Sequence, residues 1–535
     1  MRLKLAALSL SIISSYTFGG DLTISPSVSA GYIVSDITLN DSESQDVQSF
    51  EVSPSAVFSY DANRFDASLA AEHKYIRRND DFTTLFEGID KEQSFTNFGG
   101  NMSFEAIDRV LSFDVGAKQQ YRDIDPSTAL INGFYSNSQS LTKSNAYNAG
   151  VDFSLQNGKY VRASISADVD KVETDATINR NIGLDRTNSR ATAVLTSGRW
   201  FNRIRWDISS SYSKSDGSQG RGQANDSIFR SVMGNLRFGI IDNLDFVVTA
   251  SEFSNTLVGN DALSTELDFK SYGAGLSWRE LDGTLFTVTY NQGEKSTDSE
   301  KENYIAADLN LPLSRRTALK ANYSRRFFGE SGSLDFTYKA RRFNGVISYN
   351  ENLTTYSRLQ SISQTIGLFA CPIGSLDFTT CVQTSPDYEP QAGEEIIPIA
   401  FINPEISEEV ILRKTLTGGI GYNYRKLSFG VNLSYSDVDY LETNRTQRNK
   451  TVTVSAGLDA SAKSSFSLNV NFAELTRAET TTTEDLSNAT FTYSYRFSKQ
   501  LKSNLELGYS DREGATAQRD YNETRVRWNV SYQFN

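Results

Sequence analysis

The chain has 535 residues, a net charge of −12, 38% hydrophobic residues and 12% aromatic residues, with 26 Tyr and 32 Phe. By length it has room for several soluble domains, but the low hydrophobic share argues against large globular cores. The wealth of aromatic and β-branched residues argues against disorder, and the acidic balance argues against a nucleic-acid partner, which needs a basic face. With two Cys and one His, a clustered His/Cys metal centre is not available, and no cofactor is expected.

In chain order, residues 1–19 read as a signal peptide. Arg2 and Lys4 give the positive start, Leu5–Ile13 the apolar stretch and Thr17-Phe18-Gly19 the small-residue cleavage region. The apolar run is too short to anchor in a bilayer as a helix, and no later segment is long and apolar enough to do so.

Alternation of apolar and polar residues begins at once. Ile24, Pro26, Val28, Ala30, Tyr32 and Val34 share one face of an extended segment. The pattern returns at Val52–Tyr60, Phe65–Tyr75, Leu111–Tyr121, Leu427–Tyr435, Phe466–Phe472 and Ala489–Phe497. Period-two alternation with one apolar face is the signature of a strand, and segments of about ten residues match the length of a tilted membrane-crossing strand.

The connections alternate in length. Short ones include Asp61–Arg64, Gln156–Lys159, Ser197–Arg199, Asp242-Asn243, Arg341-Arg342, Arg425-Lys426 and Ser498–Gln500. Long ones include Asp36–Asp46, Arg77–Glu92, Ile124–Ser144, Val172–Asp185, Ser215–Asp226 and Ser510–Tyr521. This asymmetry belongs to outer-membrane barrels, with tight periplasmic turns and long outer loops. Charge divides the same way. Arg64, Arg109, Arg199, Arg315, Arg316, Arg341, Arg342, Arg425 and Lys426 fall in short turns. Asp80, Asp81, Asp123, Asp125, Glu173, Asp175, Glu394, Glu395, Glu408 and Glu409 fall in long loops. These acids read either as solvated loop ends or as ligands for divalent cations beside lipopolysaccharide.

The expected fold is therefore all-β: residues 20–535 form one large transmembrane antiparallel barrel of about 24 strands (22–26), in the outer membrane of a Gram-negative cell. The least regular strands are Thr187–Ser197 and Asn303–Leu311. The last, Arg525–Phe534, carries Trp528, Val530, Tyr532 and Phe534 on one face, like the C-terminal signal read by the barrel-assembly machinery, although Asn535 follows the final aromatic.

One segment, 358–410, breaks the rhythm. It holds five of the nine Pro (Pro372, Pro386, Pro390, Pro398, Pro404) and both Cys. Pro lacks a ladder donor, so this is not wall but the longest outer loop. In an oxidising compartment Cys371 and Cys381 are expected to form a disulfide. The loop folds into the lumen, lies over the mouth, or forms a disordered cap. Its run Glu395–Phe401 is apolar enough to pack on something.

No catalytic constellation stands out, and no enzyme is expected. His73 aligns with Phe65, Leu69 and Tyr75 as a wall residue. Glu72, Lys74, Asp114, Lys118, Asp168 and Lys320 fall on the polar faces and would line a water-filled interior. A TonB-dependent transporter carries a plug domain before its barrel, whereas strands are expected here from Leu22 onward.

The opening Ile24-Ser25-Pro26-Ser27-Val28-Ser29-Ala30-Gly31-Tyr32 is echoed by Val52-Ser53-Pro54-Ser55-Ala56-Val57-Phe58-Ser59-Tyr60. This paired Ser-Pro-Ser opening resembles the outer-membrane barrel proteins associated with PEP-CTERM/exosortase and exopolysaccharide systems. The Cys-bearing loop is not part of that family's pattern. The resemblance implies a role in moving or anchoring extracellular polysaccharide, with export components as partners beside outer-membrane lipid and lipopolysaccharide. The two readings are a channel or export conduit, and a structural or adhesion barrel that binds polysaccharide through its outer loops with a plugged lumen.

Overall fold

The structure is a computed structural model. It describes residues 19–39, 43–79, 90–123, 141–175, 184–201, 203–219, 226–258, 265–280, 282–295, 301–326, 329–355, 364–372, 382–384, 394–401, 410–440, 445–476, 483–514 and 520–534. Residues 1–18 of the expected signal peptide lie outside them.

Alternating side chains and tight turns produce 27 strands, β1 to β27, of which 24 join in one antiparallel sheet. The sheet closes on itself. Strand β1 (Gly20–Leu39) pairs with β2 (Gln45–Ala62) on one edge and with β27 (Tyr521–Gln533) on the other. Closure leaves no free edge, which is the condition for a sheet to sit in hydrocarbon. Both ends of the wall reach the rim that carries the short turns, and there the Phe534 amide donates to the Pro26 carbonyl at 2.8 Å.

Each strand shows the outside-apolar pattern. On β1, Leu22, Ile24, Tyr32 and Val34 are exposed, while Ile33, Ser35 and Ile37 between them are buried. On β3 (Phe65–Arg78), Leu69 is exposed, while Lys74 and Ile76 are buried. The exposed set continues around the ring through Phe98, Met102, Phe104, Leu276, Tyr290, Ile305, Ile420, Phe429, Leu433 and Trp528. Soluble surfaces do not tolerate apolar patches of this extent, so the outer face requires a bilayer.

Strand number and direction agree with the sequence reading, and the irregular pair appear as β8 (Leu184–Ser197) and β14 (Lys301–Ser314). Several boundaries need correcting. The ladder between β1 and β2 continues to Ile37↔Gln45, inside the expected loop Asp36–Asp46. Strand β26 (Leu501–Glu513) and β27 likewise extend into the expected loop Ser510–Tyr521. The turn expected at Ser197–Arg199 runs on to Arg203. The cause is common to the loops. An apolar outer face marks only the stretch in contact with lipid, whereas backbone pairing continues above it through Ser, Thr, Asp and Gln.

The wall leaves the sequence after β17 (Phe343–Thr355) and resumes at β21 (Val410–Tyr424), which pairs directly with β17. Between them lies a separate sheet in which β18 (Gln364–Pro372) is flanked by β19 (Val382–Thr384) and β20 (Glu394–Phe401). The apolar run thus finds a partner in β18. Pro398 sits on β20, which pairs on one side only, an edge position that tolerates the missing donor.

Candidate functional site in the barrel lumen

The lumen-facing positions follow from parity and register, and they are mostly polar, with apolar exceptions such as Ile33, Ile76, Phe95, Val247 and Phe269. Glu72 and Lys74 on β3, Asp114 and Lys118 on β5 (Leu111–Asp123), Asp168 on β7 (Val161–Thr174) and Lys320 on β15 (Thr317–Arg326) all share the parity opposite to the lipid-facing residues. His73 takes the other face, exposed, with Nδ1 2.9 Å from the Thr96 hydroxyl. The single histidine is therefore outside the lumen, and no Ser-His-Asp arrangement forms there.

The lumen charges neutralise one another. At the closing seam, the Arg527 guanidinium donates to Glu51 at 2.7 Å, and Lys74 lies 3.8 Å from the other Glu51 oxygen, with all three side chains buried. Arg527 reaches Glu51 across β1 because Gly31 has no side chain there: a Cβ at Gly31 would stand 2.5 Å from Glu51 Oε1. Beside this trio, Ser35 and Tyr521 donate to Glu523 at 2.8 and 2.5 Å, and Arg525 pairs with Glu506 at 3.0 Å.

A second group joins β7 and β8. Arg190 donates to Asp168 at 2.9 Å and to Asp170 at 2.7 Å, while Asn188 donates to Asp170 at 2.7 Å. A third lies near the short-turn end of β9 (Ile204–Gln219), β10 (Asp226–Ile241) and β11 (Leu244–Val258). There Arg237 pairs with Asp207, Arg205 pairs with Asp245, and Asp308 of β14 is within electrostatic reach of Arg237 and Asp207.

Between these ion pairs run hydroxyls. Ser211 bonds Ser231 at 2.6 Å, Ser251 bonds Ser271 at 2.8 Å, Ser277 bonds Thr287 at 2.8 Å, and Tyr304 donates to Ser271 at 3.0 Å.

The wall also bends inward at β12 (Thr265–Arg279), where β11 and β13 (Leu285–Lys295) come within 8 Å (Cα to Cα). Neighbouring strands stand about 4.8 Å apart, so four strands cover about 19 Å of wall. Arg326 on β15 nevertheless lies 5.4 Å from the Phe253 ring on β11, four strands away. Glycines make this possible: a Cβ at Gly275 would fall 1.9 Å from the Val288 carbonyl oxygen. A similar crowding at Ile33, Ile76, Phe95 and Tyr121 narrows the lumen beside β1.

The four residues expected to form a C-terminal signal, Trp528, Val530, Tyr532 and Phe534, lie on the last strand or just past it. Trp528 and Phe534 are exposed, Trp528 Nε1 donates to Ser503 at 2.9 Å, and the Tyr532 and Phe534 rings meet edge-on at 4.8 Å. Cys371 belongs to β18, whereas Cys381 lies outside the described residues, as do Asp80, Asp81, Asp125, Glu408 and Glu409. Among the described residues, no group of three or more His, Cys, Asp or Glu side chains is arranged to hold a metal ion. The alternation of the sequence pointed to a polar lumen; it gave no sign of which charges pair, because partners such as Glu51 and Arg527 are 476 positions apart.

No protein-family model matches the sequence, and no curated protein matches it. Solved structures do. The FrpB iron transporter from Neisseria meningitidis (F5-1 variant) superposes with a TM-score of 0.50 at 9% identity, over 96% of this chain and 83% of that one. The siderophore receptor PirA from Pseudomonas aeruginosa gives 0.42 at 11% identity, over 96% and 80%. The alcaligin outer-membrane receptor FauA from Bordetella pertussis gives 0.40 at 10%, over 95% and 76%. At this identity the likeness to FrpB speaks for the fold alone: a closed barrel of the outer-membrane type.

Proposed function

We propose that this barrel is a conduit for an uncharged, hydroxyl-rich polymer, an extracellular polysaccharide, across the outer membrane. The observation that carries the reading is the self-neutralised lumen. Arg190 with Asp168 and Asp170, Arg237 with Asp207 and Arg205 with Asp245 spend their charge on each other. Between them, Ser211 with Ser231 and Ser251 with Ser271 add polar, uncharged wall in which hydroxyls already bond to one another. Such a wall is polar with many of its charges paired, which suits sugar hydroxyls better than ions. The Ser-Pro-Ser opening supports the same cargo class.

A second reading is an adhesion barrel with a plugged lumen. It draws on β18, which comes within 8 Å (Cα to Cα) of β22 (Leu427–Tyr440) and β23 (Arg445–Asp459). Planar-bilayer recording separates the two. A conduit gives ion conductance that neutral oligosaccharides block, and that rises when residues 358–409 are deleted. Silence from both the full chain and the deletion, with glycan binding retained, overturns the conduit and leaves adhesion.

A further inference from the structure

We infer that three consecutive turns on the short-turn rim form a binding surface for anionic phospholipid headgroups of the inner leaflet. The turns are Arg315-Arg316 between β14 and β15, Arg341-Arg342 between β16 (Gly329–Lys339) and β17, and Arg425-Lys426 between β21 and β22. They are adjacent on the rim because β15 pairs with β16 and β17 pairs with β21. Together they carry six cations and no Asp or Glu, and all six side chains are exposed. Acidic turns, at Asp242 and at Glu280 and Asp282, close the two hairpins that come just before Arg315-Arg316 on the rim, so the basic run starts where they end. The opposite end of the barrel has the reverse sign: residues 356–409 hold eight Asp and Glu and a single Arg358.

Two observations place this charge on the lipid side rather than over the mouth of the lumen. Arg342 lies 4.4 Å and Arg425 5.4 Å from the ring of Tyr424. Tyr424 shares the parity of Leu416, Ile420 and Tyr422, the lipid-facing residues of β21. The guanidinium groups therefore stand at the level of an aromatic belt, where headgroups lie. An acidic protein segment docking from the periplasm has no need of that orientation.

The backbone adds an independent sign. Arg425 has φ 54°, and Arg109, in another short turn, has φ 55°. This left-handed region favours Gly and Asn in tight hairpins. Among the described residues these two arginines are the only non-glycine residues in it. A strained seat kept by a cation points to a use for the cation. Anionic headgroups supply it, since basic residues next to a bilayer attract anionic lipid within a Debye length.

The test is native mass spectrometry of the full-length protein equilibrated with equal phosphatidylglycerol and phosphatidylethanolamine, at low and at high salt. The wild type is expected to retain phosphatidylglycerol preferentially at low salt and to lose the preference at high salt. In R341Q/R342Q/R425Q/K426Q the preference is expected to fall by about tenfold or more, whereas R341K/R342K/R425K/K426R keeps it. Heat-modifiable mobility confirms that each variant is folded. If the glutamine variant does not assemble, the wild-type competition decides by itself. Equal retention of the two lipids by the wild type overturns the proposal. So does an unchanged preference in a folded glutamine variant, or capture of a polyglutamate peptide in place of phosphatidylglycerol.

Discussion

The seam between the first and last strands offers the sharpest test of how the barrel is held closed. Backbone pairing there runs from Ser27↔Gln533 to Leu39↔Tyr521. Above it, Arg527 and Glu51 form a buried ion pair that reaches over β1 and ties β27 to β2. Glu51→Ala leaves two buried cations, Arg527 and Lys74, without the carboxylate that faces them. Removing one member of a buried pair costs about 3–5 kcal/mol. Arg527→Ala is expected to cost less, because Lys74 still faces the Glu51 carboxylate. The double variant is then expected to lose less than the sum of the two, with a coupling of about 2 kcal/mol or more, since neither partner remains to be stranded. The measurement is urea unfolding in detergent micelles of wild type, both single variants and the double variant, with Trp fluorescence as the signal. Effects that add within about 0.5 kcal/mol would show that the pair does not act as a unit, and that the seam rests on its ladder alone.

Two further outcomes are expected. In the three-stranded sheet Ala370 pairs with Val382, and the next residues outward in the sequence are Cys371 and Cys381. The purified protein is therefore expected to react with a thiol-alkylating reagent only after reduction, at both cysteines, as read by intact mass; labelling of the unreduced protein would refute the disulfide. The second concerns Gly275, whose added Cβ would fall 1.9 Å from a backbone oxygen of the neighbouring strand. Gly275→Val is expected to abolish the heat-modifiable folded band, whereas Gly234→Ala, with its nearest neighbour at 3.9 Å, leaves the band in place. Equal assembly of both variants would mean that the wall does not curl tightly at β12 (Thr265–Arg279).

The fold was legible because a barrel is written locally. Period-two alternation assigns each side chain to lipid or lumen, and turn residues such as Asp242-Asn243 fix where the chain reverses. That was enough to place Glu72, Lys74 and Asp168 in the lumen and His73 on the wall. Strand ends were less legible. Beyond the lipid, no apolar face is required, and pairs such as Ile37↔Gln45 are held by backbone hydrogen bonds that composition does not reveal. The lumen contacts were not legible at all. Arg326 meets Phe253 because the wall curls between β11 and β15, and curvature is a property of the closed ring.

That curvature bears on what the barrel can carry. Diameter grows with strand number, and a round barrel of 24 strands would leave a lumen wide enough for bulk water. Here Gly31 and Gly273 let side chains from non-adjacent strands meet over them, Arg527 with Glu51 and Thr249 with Asn291, so wall that would have bounded open water instead packs against itself. Buried Ile33, Ile76, Phe95, Val247 and Phe269 are the product. At the seam the same crowding explains why Glu51, Arg527 and Lys74 are paired. A carboxylate facing wide water needs no partner, but one enclosed beside its neighbours does. There, narrowing and neutralisation are thus two consequences of one close packing. On the conduit proposed above, both would suit a slender, uncharged cargo better than free salts.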